Sequence, residues 1–171
     1  FRRYGIAWDE PVQHVYGKMA LNYYLTLGGD KSSFTYINLH WYGALFDMLI
    51  ALANKVSPLW EYDTRHLMSG LIGVAGVAGT WRLGRALGGP RAGFFAALLL
   101  ALTPAWHGGA FINPKDIPFA AALAWAALFL VRIAQALPQW RWRDFLGFAV
   151  SAGPALGIRV GGLIALAYLA A

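Results

Sequence analysis

The sequence contains no cysteine and few charged residues. The absence of cysteine from all 171 residues excludes a disulfide framework and a thiolate metal site. Charged residues make up only 13% of the chain, whereas 58% of the residues are hydrophobic and the mean hydropathy is +0.49. Soluble domains usually carry about 25% charged residues. The composition therefore indicates an integral membrane protein.

Several common functional motifs are also missing. The chain has no P-loop, no dinucleotide-binding fingerprint and no GxSxG nucleophile motif. Its net charge of +6 is not accompanied by a surface of interleaved basic and aromatic residues, so we expect no nucleic-acid partner. The four histidines are scattered without the spacing of metal ligands. No cofactor or metal is indicated, although a divalent metal stays compatible with these residues.

Four apolar stretches are candidates for membrane-spanning helices, each of which needs roughly 20 residues. They are predicted at residues 66–81 (extending toward 87), 92–112, 117–137 and 145–171. The chain begins without Met and stops inside the last stretch. We therefore expect a piece of a longer protein, with further spans missing at both ends.

Short basic loops predict the orientation of these spans. The loop at 82–91 holds three arginines and the loop at 138–144 holds two, so the positive-inside rule makes both cytoplasmic. Residues 107–116 then face the opposite side of a multi-pass inner-membrane protein. We accordingly divide the chain into an extracytoplasmic loop with juxtamembrane helices at 1–65 and a transmembrane region at 66–171.

The extracytoplasmic loop holds most of the acids and predicts helices of its own. Asp9 and Glu10 directly precede a proline, which is typical of a first helical turn, and Gly28 would end that helix. Apolar residues recur at helical spacing over 39–56. We interpret this stretch as an amphipathic helix in the membrane interface rather than as a fifth span, because it is short and carries Asp47 at its middle.

A second acidic motif, Lys115-Asp116, stands where two apolar stretches meet. Prolines flank the pair and restrict its backbone, so both charges can be presented at the membrane surface. Helix capping by Asp116, with a snorkelling Lys115, would also explain these residues, as an N-cap would explain Asp9. With 39–56 on the surface, both acidic motifs face one side of the membrane. A carboxylate there can deprotonate a hydroxyl, and cations can stabilise a phosphate leaving group.

Two arginines extend this set of candidates. Arg159 is predicted roughly 14 residues into the last span, about 21 Å along a helix and past the middle of the bilayer. An intramembrane arginine is a functional candidate by default, and here it could approach a lipid phosphate or pair with Asp116. Arg65 lies at the outer boundary of the first span, where a phosphate contact and an interfacial anchor are both open.

Three stretches of the chain resemble glycosyltransferase family 39. They are WDEP with a following Tyr16, HWYGALFDMLIALANKVSPLWEYDTRHL, and HGGAFINPKDIPFAAALAW. The bacterial members of this family are relatives of protein O-mannosyltransferases and of the aminoarabinose transferase. The resemblance extends over residues 6–164, and the two acidic motifs follow the family's order.

The resemblance implies a GT-C fold, an all-α integral membrane protein built as a multi-span helical bundle with a helical extracytoplasmic first loop. It also implies an enzyme that takes a sugar from a polyprenyl-phosphate carrier in the lipid bilayer, with inversion at the anomeric carbon. The acceptor would be a hydroxyl of a lipid, a glycan or a protein outside the cytoplasm. The later outer domain and loops of the family are missing from this sequence, so the acceptor stays open.

The family's functional residues can be carried onto matching positions. The acid of the first outer loop, the expected catalytic base, corresponds to Asp9, with Glu10 beside it, and the second acid corresponds to Asp116. Lys115 would contact the phosphate or the donor. We add three further candidates for donor binding, which are Arg159, Arg65 and Lys18.

A multi-span transporter or flippase of a lipid-linked or polar substrate is the alternative. Arg159 and Asp116 would then line a polar path between helices. Such a protein is expected to carry broken helices in inverted repeats and acids at the membrane midplane, whereas the acids here are predicted in outer loops. In a third reading, a non-catalytic scaffold, Asp9 and Asp116 would act only as helix caps.

Overall fold

The part of the chain that the computed structural model describes, residues 5–170, is mainly helical. No strand occurs in this range, so the predicted all-α class is confirmed. The helices are α1 (Glu10–Leu25), α2 (Leu45–Asn54), α3 (Glu61–Leu102), α4 (Pro104–Ile112), α5 (Asp116–Ala136), α6 (Trp142–Ile158) and α7 (Leu163–Ala170). Short 3-10 helices lie between them at Ser32–Phe34, Leu39–Trp41 and Val160–Gly162.

The longest helix, α3, is divided by a break at Gly88 and Gly89. Gly89 has φ = +78°, a conformation that glycine adopts without the steric cost other residues meet. Beyond the break the helix returns along its own first half, since a Cβ atom added to Gly93 would lie 2.7 Å from the carbonyl oxygen of Trp81. The segment 82–91, which we expected to be a loop, is therefore helical except at this turn.

Helix α4 continues the same return path. Thr103 separates it from α3, so the single span expected at 92–112 consists of two helices. Residue 104 is a proline, which cannot donate a backbone hydrogen bond. The Thr103 hydroxyl donates a hydrogen bond to the carbonyl of Leu99 at 2.7 Å. Trp106 then packs directly on Gly76, which shows that α4 lies against the first half of α3.

Helix α5 lies between α3 and α6. Trp125 donates its indole N–H to the carbonyl of Ala75 at 2.9 Å, and Gln135 donates its amide N–H to the carbonyl of Ala86 at 3.2 Å. The opposite face of α5 packs on α6 and α7 through a buried apolar cluster. Its residues are Ala126, Ile133, Phe148, Ala152 and Ala165.

Helix α6 ends before the arginine that the sequence placed inside the last span. Arg159 has an extended backbone (φ −146°, ψ 141°), and its guanidinium reaches Asp116 at the start of α5. The continuous helix expected over 145–171 is thus interrupted, because the extended conformation directs this side chain toward a carboxylate. Arg159 lies at a helix end, contrary to the expectation.

The helices α1 and α2 pack on each other and on the ends of α3 and α6. A Cβ atom added to Gly17 of α1 would overlap the backbone of Asp47 in α2. A Cβ atom added to Gly43, just before α2, would likewise overlap the carbonyl of Gly157 near the end of α6. The amphipathic helix predicted over 39–56 is shorter than expected. With 10 residues, α2 is too short to cross a bilayer.

Two of the described helices, α3 and α5, are long and apolar enough to cross a membrane by length and composition. The 42 residues of α3 would extend about 63 Å without the break, twice the roughly 30 Å of a hydrocarbon core. The helical segment between Arg65 and Arg82 measures about 26 Å. Charged side chains at the two ends of this segment are therefore separated by nearly the thickness of a bilayer.

Candidate active site

The two adjacent acids at the start of α1 differ in their surroundings. Asp9 occupies the N-cap position, yet its side chain forms no capping hydrogen bond, and it is partly exposed. Glu10 is fully buried and accepts a hydrogen bond from the backbone N–H of Ala7 at 2.7 Å. A buried carboxylate must be paired, whereas Asp9 keeps its oxygens available.

Helix α3 supplies the partners of Glu10. His66 Nε2 lies 3.0 Å from Oε1 and 3.2 Å from Oε2 of Glu10, within hydrogen-bonding distance. Arg65 Nε lies 3.7 Å from Oε1 of the same carboxylate. Both Arg65 and His66 are buried, so the first turns of α3 fix the position at which α1 begins.

The guanidinium of Arg65 also connects α3 to α2. Its Nη2 donates a hydrogen bond to Oδ1 of the buried Asp47. The Cζ atom of the same guanidinium lies 5.8 Å from the centre of the Phe46 ring. Asp47 belongs to α2, which is not among the helices long enough to cross a membrane. Burial raises the pKa of Asp47 to about 6, and the positive charge of Arg65 partly opposes that shift. Arg65 was predicted as a donor contact, but its complete burial favours a positioning role.

An asparagine organises the second acidic motif. The Oδ1 atom of Asn113 accepts hydrogen bonds from the backbone N–H of Asp116 at 2.8 Å and of Lys115 at 3.2 Å. Its amide nitrogen donates to Oδ2 of Asp116 at 2.9 Å. The helix-capping function that the sequence left open for Asp116 is thus carried by Asn113, and the Asp116 carboxylate is exposed.

Asp116 and Arg159 form an ion pair across the ends of α5 and α6. Arg159 Nη2 lies 2.6 Å from Oδ1 of Asp116, and both side chains are substantially exposed, at 40% and 57%. The Nε atom of Arg159 is buried without a hydrogen-bond partner. The predicted pairing of these two residues is present, and it leaves donor capacity on the guanidinium.

Lys115 stands at the centre of the charged residues. Its Nζ atom lies 4.4 Å from the centre of the Tyr42 ring, in cation–π geometry. Burial lowers the pKa of Lys115, and the neighbouring charges of Asp47 and Asp9 oppose this effect. The positive charge of Arg159 acts in the same direction as burial. Both acidic motifs therefore share one electrostatic environment.

These side chains form what we call the charged cluster. Its members are Asp9, Glu10, Asp47, Arg65, His66, Lys115, Asp116 and Arg159. Lys18, the remaining predicted candidate, binds a different partner. Its Nζ lies 2.8 and 3.1 Å from the two carboxylate oxygens of Glu61, which also contacts His14 at 2.8 Å.

Sequence reasoning did not assign site roles to Asp47, Tyr42 and Asn113, and it considered His66 only together with Arg65 as a phosphate contact or an interfacial anchor. Asp47 was used only to argue that its helix does not span the membrane. A lone acid in an apolar helix, followed at a short distance by a lone arginine at the start of a span, is a signal for a buried ion pair. The Tyr42 contact carries no comparable signal, since it depends on how the chain folds back.

An apolar cleft of about 500 Å³ opens next to the charged cluster, between α2, α3, α5 and α6. The part of its lining nearest the charged cluster includes Phe46, Pro118 and Ile158, each within two residues of a charged-cluster residue. The deeper lining includes Trp125 and Phe129 of α5. An elongated apolar chain would fit this cleft with its polar end at the charged cluster.

No group of three or more metal-ligating side chains is close enough to hold a metal ion within residues 5–170. The cluster instead offers a carboxylate without a partner, a lysine and an arginine. Together they can accept a proton and stabilise negative charge on an oxyanion.

Apolar helices of bilayer length, with acids and cations gathered at one end beside an apolar cleft, are the features expected of a membrane protein. The model of the dolichyl-phosphate-mannose-protein mannosyltransferase family matches residues 41–171, which is most of the chain, and the protein belongs to this family. The family consists of membrane glycosyltransferases of the GT-C type, so the predicted resemblance is confirmed. No curated protein and no solved structure matches the chain.

Proposed function

We propose that the protein transfers a sugar from a polyprenyl-phosphate donor to an acceptor hydroxyl at the extracytoplasmic face of the inner membrane. The observation that carries this proposal is that the charges of Asp9 and Arg159 both act on Lys115, beside the apolar cleft. The arrangement offers a base, two cations and a lipid-binding surface within one site. Membership of a glycosyltransferase family supports the same reaction.

Asp9 is the proposed catalytic base. Among the described residues, its side chain forms no hydrogen bond and no ion pair, so its oxygens are free to accept a proton. Glu10, buried against His66 and Arg65, acts as a positioning residue that fixes the start of α1. This assignment divides the roles of two adjacent acids that the sequence treated together.

Lys115 and Arg159 are the proposed phosphate contacts. Two cations close to each other repel, and an anionic ligand between them would relieve that repulsion. Asp116 holds the Arg159 guanidinium in place and leaves its Nε atom for a further acceptor. The catalytic role predicted for Asp116 thus becomes a role in positioning a cation.

The reaction follows from these placements. Asp9 accepts the proton of the acceptor hydroxyl while the hydroxyl oxygen forms a bond to the anomeric carbon. The bond between that carbon and the phosphate oxygen breaks on the opposite face, so the configuration at the carbon inverts. Lys115 and Arg159 stabilise the charge that develops on the departing polyprenyl phosphate. The isoprenoid chain stays in the apolar cleft throughout.

The acceptor and the sidedness complete the proposal. By the positive-inside rule, the arginines at the opposite end of the helices support an extracytoplasmic position for the charged cluster. A hydroxyl of a protein, a glycan or a lipid can reach Asp9 from the aqueous side. The family description, which names a protein acceptor, favours the first of these.

The substitution Asp9→Asn tests the proposed base in the intact protein. Loss of a general base usually slows a reaction by about 100-fold or more, so we expect that loss in sugar transfer from a polyprenyl-phosphate donor. Asp30→Asn is the matched control, because Asp30 accepts a backbone hydrogen bond from Ser32 that asparagine can also accept. Unaltered transfer by Asp9→Asn would exclude Asp9 as the base. Transport of the donor without transfer would favour the flippase alternative.

A further inference from the structure

The end of the helices opposite the charged cluster carries a second pocket, and it is basic. It measures about 400 Å³ and lies between α3 and α5. Its polar lining comes from Arg82, Arg85, Arg132 and Gln135, and no carboxylate lines it. Arg82 and Arg85 form no ion pair among the described residues, so their positive charges repel each other and the pocket favours an anionic ligand.

Neighbouring contacts hold the pocket in shape. The guanidinium of Arg82 lies over the ring of Trp125 at 5.8 Å, and that of Arg85 lies over the ring of Trp81 at the same distance. Arg132 Nε lies 3.2 Å from Oδ1 of Asp144, which fixes the side chain from outside the pocket. The two helices are also tied by the hydrogen bond from Gln135 to α3.

The position of the pocket identifies its ligand as a lipid. Arg82 is about 26 Å along α3 from Arg65, which corresponds to the distance between the two surfaces of a hydrocarbon core. Leu128 lines the pocket one helical turn closer to the middle of α5, where acyl chains would lie. Basic pockets between membrane helices are known to bind anionic head groups.

We propose that this pocket binds the phosphate head group of an anionic glycerophospholipid in the membrane leaflet opposite the charged cluster. The phosphodiester would contact Arg82 and Arg85. The amide nitrogen of Gln135, which already donates one hydrogen bond to Ala86, would donate its second to an ester oxygen. The acyl chains would extend past Leu128 along the outside of the helices. This site is separate from the charged cluster and uses none of its residues.

The test uses the intact protein and the variant Arg82→Gln/Arg85→Gln, with Arg91→Gln/Arg143→Gln as control. Both variants lose two positive charges, but neither Arg91 nor Arg143 lines the pocket. Native mass spectrometry would measure bound phosphatidylglycerol and bound phosphatidylcholine. We expect the pocket variant to bind phosphatidylglycerol about tenfold more weakly than the control, with phosphatidylcholine binding equal in all three proteins.

Equal phosphatidylglycerol binding by the pocket variant and the control would overturn the proposal. Displacement of the lipid by equimolar inorganic phosphate would also overturn it, because the pocket would then recognise a free anion. Unchanged sugar transfer by the pocket variant would show that it folds. If it does not fold, Arg85→Gln alone is compared with Arg91→Gln, and weaker lipid binding by the former is expected.

Discussion

Asp9 and Glu10 are neighbours in the sequence, yet the fold gives them opposite environments. Glu10 is held by His66 and Arg65, and Arg65 also binds Asp47, so one guanidinium connects α1, α2 and α3. Buried ion pairs contribute little net stability, but removing one partner usually costs about 3–5 kcal/mol. This network therefore fixes where Asp9 stands, and it does so without using the carboxylate of Asp9 itself.

The ionisation of Asp47 gives a prediction about stability and pH. Burial raises its pKa from 3.8 to about 6, so ionising it costs more in the folded than in the unfolded protein. Its favourable contribution is then complete below about pH 4 and is lost as the pH rises through about 6. We expect the thermal midpoint of the natural protein, measured relative to Asp47→Asn, to fall between pH 4.5 and pH 7.

The comparison with Asp47→Asn isolates this one group. His14, whose pKa is lowered by burial, titrates in the same range but is present in both proteins. The thermal midpoint of the natural protein, relative to that of Asp47→Asn, would rise with pH if the attraction of Arg65 outweighed the effect of burial. The placement of Asp47 as a raised-pKa carboxyl would then be wrong.

At the residue scale, the sequence predicted most of the charged cluster and the pairing of Arg159 with Asp116, but not the other pairs. Asp9, Glu10, Lys115, Asp116 and Arg159 were singled out because charges are rare in an apolar chain. Their partners were harder to identify, since contacts such as that between Glu10 and His66 join residues far apart in the sequence. No local pattern determines such pairs.

At the scale of elements, Gly43 determines how closely the start of α2 approaches α6. The backbone of Gly43 touches the carbonyl of Gly157, so a side chain at Gly43 would displace one segment from the other. Tyr42, which precedes Gly43, carries the ring that contacts Lys115. The close approach of two backbones thus determines where the cation of the proposed site stands.

The substitution Gly43→Ala tests this contact. Overpacking of this kind usually costs about 1–3 kcal/mol, and we expect a lower thermal midpoint together with reduced sugar transfer. Gly108→Ala is the control, because a Cβ atom there would meet no other atom within 4 Å. Alanine is favoured over glycine in a helix by about 1 kcal/mol, so the control is expected to be neutral or stabilising.

Equal midpoints for Gly43→Ala and Gly108→Ala would contradict the close approach of α2 and α6.

Helix positions were better predicted than helix ends. The apolar runs correctly indicated helices over 66–81 and 117–137, because a run of that length has few other stable forms in a membrane. The sequence also predicted the extension toward residue 87. Its arginines were taken to mark a loop over 82–91, however, and α3 is helical there except at Gly88 and Gly89. The interruption at Arg159 was missed as well, because only its partner Asp116 explains why the helix stops there.

At the scale of the whole molecule, charge is distributed between two ends. The charged cluster contains all of the proposed catalytic machinery, and the opposite end contains the basic pocket. Both ends are built from the same helices, α3 and α5, so their separation follows from helix length. This arrangement supports a protein that performs chemistry at one membrane surface and binds anionic lipid at the other.

The central claim is that both acidic motifs face one side of the membrane, and labelling of single cysteines tests it most directly. The segment contributes no natural thiol, so Leu27→Cys, Asp116→Cys and Trp140→Cys can be compared at exposed positions. A membrane-impermeant maleimide applied to intact cells should label the first two, and Trp140→Cys only after permeabilisation. Labelling of Leu27→Cys and Asp116→Cys from opposite sides would contradict the shared site and the proposed reaction.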